Sequence, residues 1–328
     1  MSDSPRLPTF SDVVAAAARI GPHIVRTPVM RSDSFDARVG RRVFFKCENL
    51  QTGGAFKYRG AMNTVLQLDP GRTPMVATHS SGNHGTALAL AARARGMRAL
   101  VVVPRDSAKV KVANIEAAGA RVEFCEPGLA AREQKLREVL AREPGVVVHP
   151  FDDERIIAGQ GTAALELLAE FPELDVISTP VGGGGLIAGT ALAAKALRPA
   201  IRVIGAEPAN ADDAFRSFKS GQRCSVTAPD TLADGLRGSI GVRNYQLLRM
   251  LVDDVVTVSE AQIVAAMRIA LQDLKLLIEP SSAVAVAAVL AGQLGGAGQQ
   301  VGIVISGGNV DLDQCPFLRG PAGASVEM

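Results

Sequence analysis

A chain of 328 residues, 47% hydrophobic and 21% charged, carries enough apolar material for a large core, and its length points to about two domains. Its 35 basic and 33 acidic side chains leave a formal charge of +2, which gives no case for nucleic acid or a membrane surface as partner. Cys47, Cys125, Cys224 and Cys315 lie far apart without CxxC spacing, so reduced thiols of a cytoplasmic protein are expected, not a disulfide framework or zinc site.

Residues 1–9 lack the apolar core of a signal segment, and no apolar run reaches the length of a membrane span. Residues 10–20 show helical spacing behind Ser11-Asp12 and end at Gly21-Pro22. A strand over 42–47 and a helix over 58–68 follow, the latter stopped by Asp69-Pro70-Gly71. Then strands at 75–78, 100–103, 121–125 and 146–149 alternate with helices at 85–95, 110–118 and 129–142. The pattern restarts with helix 161–170, strand 175–179, helix 185–197 and strand 201–206. After an irregular section over 221–244 come strand 255–258, helices 260–276 and 281–290, and strand 301–305. This alternation predicts an α/β fold, two lobes each with a mostly parallel sheet covered by helices, and a site between them.

Four stretches carry the chemistry. Gly53-Gly54-Ala55-Phe56-Lys57-Tyr58-Arg59-Gly60 sets a lysine in a glycine-flanked turn. In a dry site such a lysine loses its proton readily and attacks carbonyl compounds; alone, the segment reads as an exposed helix start. Thr78-His79-Ser80-Ser81-Gly82-Asn83-His84-Gly85 joins a strand to a helix and suits a carboxylate, or else is a plain helix cap built from Ser81 or Asn83. Val181-Gly182-Gly183-Gly184-Gly185-Leu186 forms a nest of N–H groups suited to a phosphate, and is neither a Walker loop nor a full GxGxxG fingerprint. Ile305-Ser306-Gly307-Gly308-Asn309 places a hydroxyl at the carboxyl end of the last strand, where open α/β sheets bind ligands.

With GAFKYRGA, THSSGNHG, AGQGTAALEL, VGGGGLIAG, AEPANADD, LLIEPSSAV and SGGNVDL in this order, residues 10–313 resemble a known family. It is the serine/threonine dehydratase and serine racemase group of pyridoxal-phosphate enzymes, 3-hydroxyaspartate dehydratases included, with the tryptophan-synthase-β-like fold. The resemblance implies a large cofactor-binding domain (1–70 and 152–328) and a small substrate-binding domain (71–151). Lys57 matches the cofactor-bearing lysine and Phe56 the residue packed on the ring. Asn83 matches the partner of the ring hydroxyl, and Gly182, Gly183, Gly184, Gly185 and Leu186 the phosphate cradle. Ser306 matches the residue on the pyridine nitrogen. A serine there leaves that nitrogen unprotonated, which suits elimination, since the departing β-hydroxyl carries charge away.

By the same resemblance Ser80, Ser81, Asn83 and His84 bind the substrate carboxylate, and Ser81 is the acid/base on the ring face opposite Lys57. Arg132 matches an arginine able to reach a second substrate carboxylate, or is a solvated charge on helix 129–142. Glu207, Asp213 and the Ala211 carbonyl match a structural Mg²⁺ or Ca²⁺ site; the alternative is that Asn210 and Asp212 merely cap the next helix. The racemases' usual Asn and pocket Ser appear here as Phe151 and Gly238, and their nucleotide-contacting Gln and Tyr as Thr86 and Phe124. The expected activity is dehydration of serine, threonine or 3-hydroxyaspartate to a keto acid and ammonia. Serine or aspartate racemisation is the alternative, and a non-enzymatic phosphoester-binding module a remote one. A small amino-acid substrate and a C2 homodimer complete the expectation.

Overall fold

The computed structural model describes residues 6–227 and 229–318. In chain order the elements are α1 (Phe10–Ile20), β1 (Val29–Met30), α2 (Asp33–Val39), β2 (Val43–Cys47), α3 (Lys57–Val65), β3 (Met75–His79) and α4 (Asn83–Ala94). β4 (Arg98–Pro104), α5 (Lys109–Ala117), β5 (Arg121–Cys125), α6 (Leu129–Arg142), β6 (Val146–Val147) and α7 (Glu154–Glu170) follow. The remainder is β7 (Val176–Pro180), α8 (Gly185–Leu197), β8 (Arg202–Pro208), α9 (Asp213–Ser220), α10 (Val242–Leu251), β9 (Asp254–Val258), α11 (Glu260–Ile269), α12 (Pro280–Leu290) and β10 (Val301–Ile305).

The strands form two sheets, one of six in the order β1-β2-β10-β7-β8-β9 and one of four in the order β5-β4-β3-β6. Every pairing is parallel except that of the two-residue β1 with β2. Parallel strands covered on both faces read as continuous apolar runs, and β2, β3, β7 and β10 are buried along their whole length. Their period of two still sorts the side chains. Phe45, Val176 and Ile204 join the core beneath α11 and α12, while Phe44, Ile177 and Val203 join the core beneath α7 and α8.

The structure departs from the sequence reading at several elements. The helix expected from residue 161 begins at Glu154, where the Asp153 carboxylate accepts from the N–H groups of Arg155 and Ile156. Gly159 and Gly161, which argue against a helix, lie within it because other backbones approach there. A Cβ on Gly159 would stand 2.6 Å from the Cα of Gly60, and one on Gly161 2.7 Å from the Gly189 carbonyl oxygen. The section expected to be irregular contains the start of α10, and the helix expected over 260–276 loosens into a π-turn at Ala270–Leu274. The short β1 and α2 went unread, being below the length at which periodicity shows. Among the described residues no helix is long and apolar enough to cross a membrane.

Candidate active site

Lys57 opens α3 directly after a turn held to the end of β10: the Phe56 N–H donates to the Ser306 carbonyl (3.0 Å), and Ala55 bridges Gly307. Its Nζ donates to the Pro150 carbonyl (2.8 Å) and lies 5.2 Å from the Phe56 ring centroid. Burial drives its pKa down to about 8, and the negative charge of Glu279 only partly resists this. The amine is therefore close to neutral in mildly alkaline solution, as a nucleophile or base requires.

At the start of α4, the Ser80 hydroxyl accepts from the N–H groups of Gly82 (3.2 Å) and Gly85 (3.0 Å). Ser80 thus takes the capping role considered for Ser81 or Asn83, with its side chain facing the helix end. The N–H groups of Ser81, Asn83 and His84 have no protein acceptor among the described residues, and neither has the half-buried Ser81 hydroxyl. These donors, with the helix dipole behind them, fit a carboxylate. The His84 ring is buried with Nε2 3.3 Å from the Val148 carbonyl and Nδ1 unpartnered; burial first, then Lys57, holds it neutral. It is the backbone of His84 that belongs to the cradle.

At the start of α8, the N–H groups of Gly182, Gly183, Gly184, Gly185 and Leu186 likewise have no protein acceptor among the described residues. Gly184 sits at φ +88°, and a Cβ on Gly183 would collide with the Phe151 ring, so this nest admits only glycine. Asn244 Nδ2 fixes its shape by donating to the Gly183 (2.6 Å) and Phe151 (3.1 Å) carbonyls. Ser306 ends β10 with its Oγ 2.9 Å from Ser282 Oγ. Asn83 donates to Glu279 (2.7 Å) and accepts from Asn309 (3.0 Å), retaining a second N–H.

Glu279 has no assigned role in the sequence reading, where it appears only within the LLIEPSSAV motif. It is 2% exposed, and burial raises its pKa to about 7 while Lys111 pulls the other way. Arg132 is half-buried with an unpartnered, inaccessible Nε, so it is less solvated than a charge on an exposed helix face. Burial lowers its pKa and Arg237 adds to this, although Cys125 and Asp106 oppose both.

Glu207 and Asp213 come together at α9. Glu207 itself caps that helix, accepting from Ala214 (3.1 Å) and Phe215 (2.7 Å), so capping does use this residue, contrary to expectation. Asp213 Oδ2 accepts from Ile240 (2.7 Å), while its buried Oδ1 has no partner. Burial, then Asp213, raises Glu207 well above the usual carboxylate range, and burial lifts Asp213 to about 6. Among the described residues no three His, Cys, Asp or Glu side chains converge as a metal cluster.

The depressed Lys57 pKa has a direct consequence. In protein freed of bound carbonyl compounds, Lys57 is protonated below about pH 8 and nucleophilic above it, whereas an ordinary lysine changes near pH 10.5. Acylation of Lys57, followed by peptide mass spectrometry, should rise with an inflection near pH 8 and precede that of exposed lysines. An inflection near 10.5 would show that the amine is hydrated.

A model of the family described as "Pyridoxal-phosphate dependent enzyme" matches residues 20–307. A serine racemase of Arabidopsis thaliana is 48% identical over 300 residues, 90% of this chain and 91% of the relative. A beta-hydroxyaspartate dehydratase of Paracoccus denitrificans (strain Pd 1222) is 45% identical over 312 residues, 95% of this chain and 99% of the relative. The solved structure of maize serine racemase superposes with a TM-score of 0.91 at 43% identity, covering 94% of this chain and 96% of that one. The two parallel sheets, the lysine at the start of α3 and the glycine nest at α8 accord with these likenesses, and the chain belongs to the fold-type II pyridoxal-phosphate-dependent enzymes, in the serine/threonine dehydratase and racemase family.

Proposed function

We propose that this enzyme removes the α-proton of a small β-hydroxy amino acid and returns it on the opposite face, as a serine racemase does, with β-elimination as a competing outcome. The observation that carries the reading is the pairing of two donor cradles, at α4 and α8, with a lysine whose amine is driven towards neutrality. The motifs alone place elimination first. The racemases of Arabidopsis and maize move racemisation ahead of it. The four-stranded sheet with α4, α5 and α6 supports the division into a small domain of residues 71–151 within a larger one.

Bound pyridoxal phosphate supplies the electron-withdrawing ring that acidifies the α-proton of an amino acid. The nest at Gly182–Leu186 would hold its phosphate, Ser306 its ring nitrogen and Asn83 its ring hydroxyl. The N–H groups of Ser81, Asn83 and His84 would hold the substrate carboxylate, orienting the Cα–H bond. Lys57 Nζ takes the proton. For racemisation, the Ser81 hydroxyl delivers a proton to the other face. For elimination, the proton taken by Lys57 is balanced by one delivered to the β-hydroxyl, which leaves as water, and hydrolysis of the released enamine gives a keto acid and ammonia.

A structural Mg²⁺ or Ca²⁺ on Glu207, Asp213 and the Ala211 carbonyl forms part of the proposal. Its support is the orphaned Asp213 Oδ1 beside a second buried carboxylate, a hard-oxygen set suited to such a cation. The ion would stiffen the start of α9 and take no part in the chemistry.

A second reading, dehydration of 3-hydroxyaspartate, is favoured by Arg132. A half-buried guanidinium with an unpartnered Nε suits a second carboxylate through its planar donor fork. The Paracoccus relative carries that activity in its name.

Three measurements test these assignments. Ser81→Ala should suppress racemisation of L-serine far more than its elimination; equal losses would make Ser81 a carboxylate binder only. Arg132→Ala should lower kcat/KM for 3-hydroxyaspartate by one to two decades, the loss of one charge-assisted pair of ~1.5–3 kcal/mol, and barely alter that for threonine. A like response to both substrates removes the second reading. Mg²⁺ or Ca²⁺ should raise the Tm of the wild type by binding only the folded state, and the Glu207→Ala/Asp213→Ala double variant should lose the response. A retained shift places the ions elsewhere.

A further inference from the structure

Lys111 lies in the first turn of α5, on the four-stranded sheet's side, yet its side chain ends among residues of the six-stranded side. Its stem runs against the carboxylate-binding turn: a Cβ built on Gly82 would stand 2.8 Å from Lys111 Cδ and 3.6 Å from its Nζ. The ammonium then meets Asp234 Oδ2 at 2.5 Å and Glu279 Oε2 at 3.9 Å. Burial works against its charge, but Glu279 and Asp234 outweigh that and hold its pKa above the ordinary lysine value.

Both acids are anchored close to the cofactor side. Asp234 opens a short turn whose next residue, Gly235, donates its N–H to Ser281 Oγ in α12. Glu279 precedes α12 and lies against Gly307, while its Oε1 accepts from Asn83. The turn carrying the free N–H groups is thus tied to the opposite sheet system on both flanks of Gly82. Asn83 makes one tie directly, and Lys111 makes the other through its stem and its ion pair.

We propose that Lys111 is a positioning residue for the substrate carboxylate, fixing the Ser81–His84 turn in register with Lys57 through its ion pair with Asp234. The inference rests on the reading of that turn as the carboxylate cradle. A loosened turn would present its N–H groups out of line with the Cα–H bond, and binding of every carboxylate substrate would weaken together. Lys111 does not touch the reacting atoms, so the chemical step is affected less than binding.

The test uses holoenzyme and 3-hydroxypropanoate, a competitive probe with the carboxylate and β-hydroxyl of serine but no amine. Lys111→Met and Asp234→Asn should each raise the KM for serine and the Ki for the probe together, by about tenfold, the scale of a modest coupling energy. The turnover number should stay within about threefold, the signature of lost binding and not of lost chemistry. The double variant should be no worse than Lys111→Met, because one pair is removed once or twice. Lys111→Arg should recover most of the loss.

Unchanged constants in Asp234→Asn, or additive losses in the double variant, overturn the inference: the first would mean that Lys111 acts on the carboxylate directly. A fall in turnover with unchanged Ki also overturns it. If Lys111→Met fails to fold, Asp234→Asn, at a partly exposed turn residue, and Lys111→Arg still decide the matter. Failure of the probe to compete in the unaltered enzyme would sink the cradle reading itself, and the inference with it.

Discussion

Arg59 directs its guanidinium at two carboxylates in the dry interior, and the placement of Lys57 depends on it. Its Nε and Nη2 bond Glu48 at 2.7 and 2.8 Å, its Nη1 and Nη2 bond Glu166 at 2.7 and 2.9 Å, and Nη1 also reaches Thr162 at 3.1 Å. Lys46, 1% exposed, joins from β2 by donating to Glu166 at 2.6 Å. Burying such charges is costly, and the pairing mainly offsets that cost; removing one partner alone would leave an unpaired buried charge worth about 3–5 kcal/mol of stability. The network ties β2, α3 and α7 together at the first turn of α3. Residues two apart on a helix point about 200° apart. With Arg59 locked into the core, Lys57 is turned to the opposite side, towards Pro150 and the cleft.

The same dry surroundings act in opposite ways on these neighbours because their partners differ. Arg59 has carboxylates on both edges, and their charge outweighs burial and keeps it ionised. Lys57 has a carbonyl at 2.8 Å, while Glu279 is near enough to act through its field but makes no ion pair with it. Burial therefore wins. Glu279 is itself engaged by Asn83 through a hydrogen bond and by Lys111 through attraction. The amine's reactivity is thus set first by how deeply the lysine lies, with the field of Glu279 a lesser, opposing influence.

What could be read from the sequence follows from how local each signal is. The glycine nest, the SSGN turn and Lys57 each declare themselves within eight residues, and the structure gathers all three. The helix α8 and strands β5 and β10 were legible end to end, because apolar periodicity and flanking turns agree there. The start of α7 was hidden, since Gly159 and Gly161 look like breakers until α3 and α8 are seen crossing against them. Glu279, Lys111 and Asp234 were hidden for another reason. Their partners lie 123 and 196 residues away, and an isolated acid or lysine carries no mark of burial. Arg132 was ambiguous because its helix mixes apolar and charged residues, and only the fold shows which face turns inward.

Phe151 and Gly238, read along the chain, look like two separate losses of polarity in the substrate pocket. In the fold they are neighbours: a Cβ on Gly238 would stand 3.6 Å from Phe151 Cε1, an ordinary van der Waals contact. The ring meets His149 edge-on at 4.7 Å and covers Gly183, and the Phe151 carbonyl shares Asn244 with the Gly183 carbonyl. Its closest contact is therefore with the glycine nest, which it backs with an apolar ring. Arg132, half-buried with an unpartnered Nε, is then the residue on which the proposal of a dicarboxylate substrate rests.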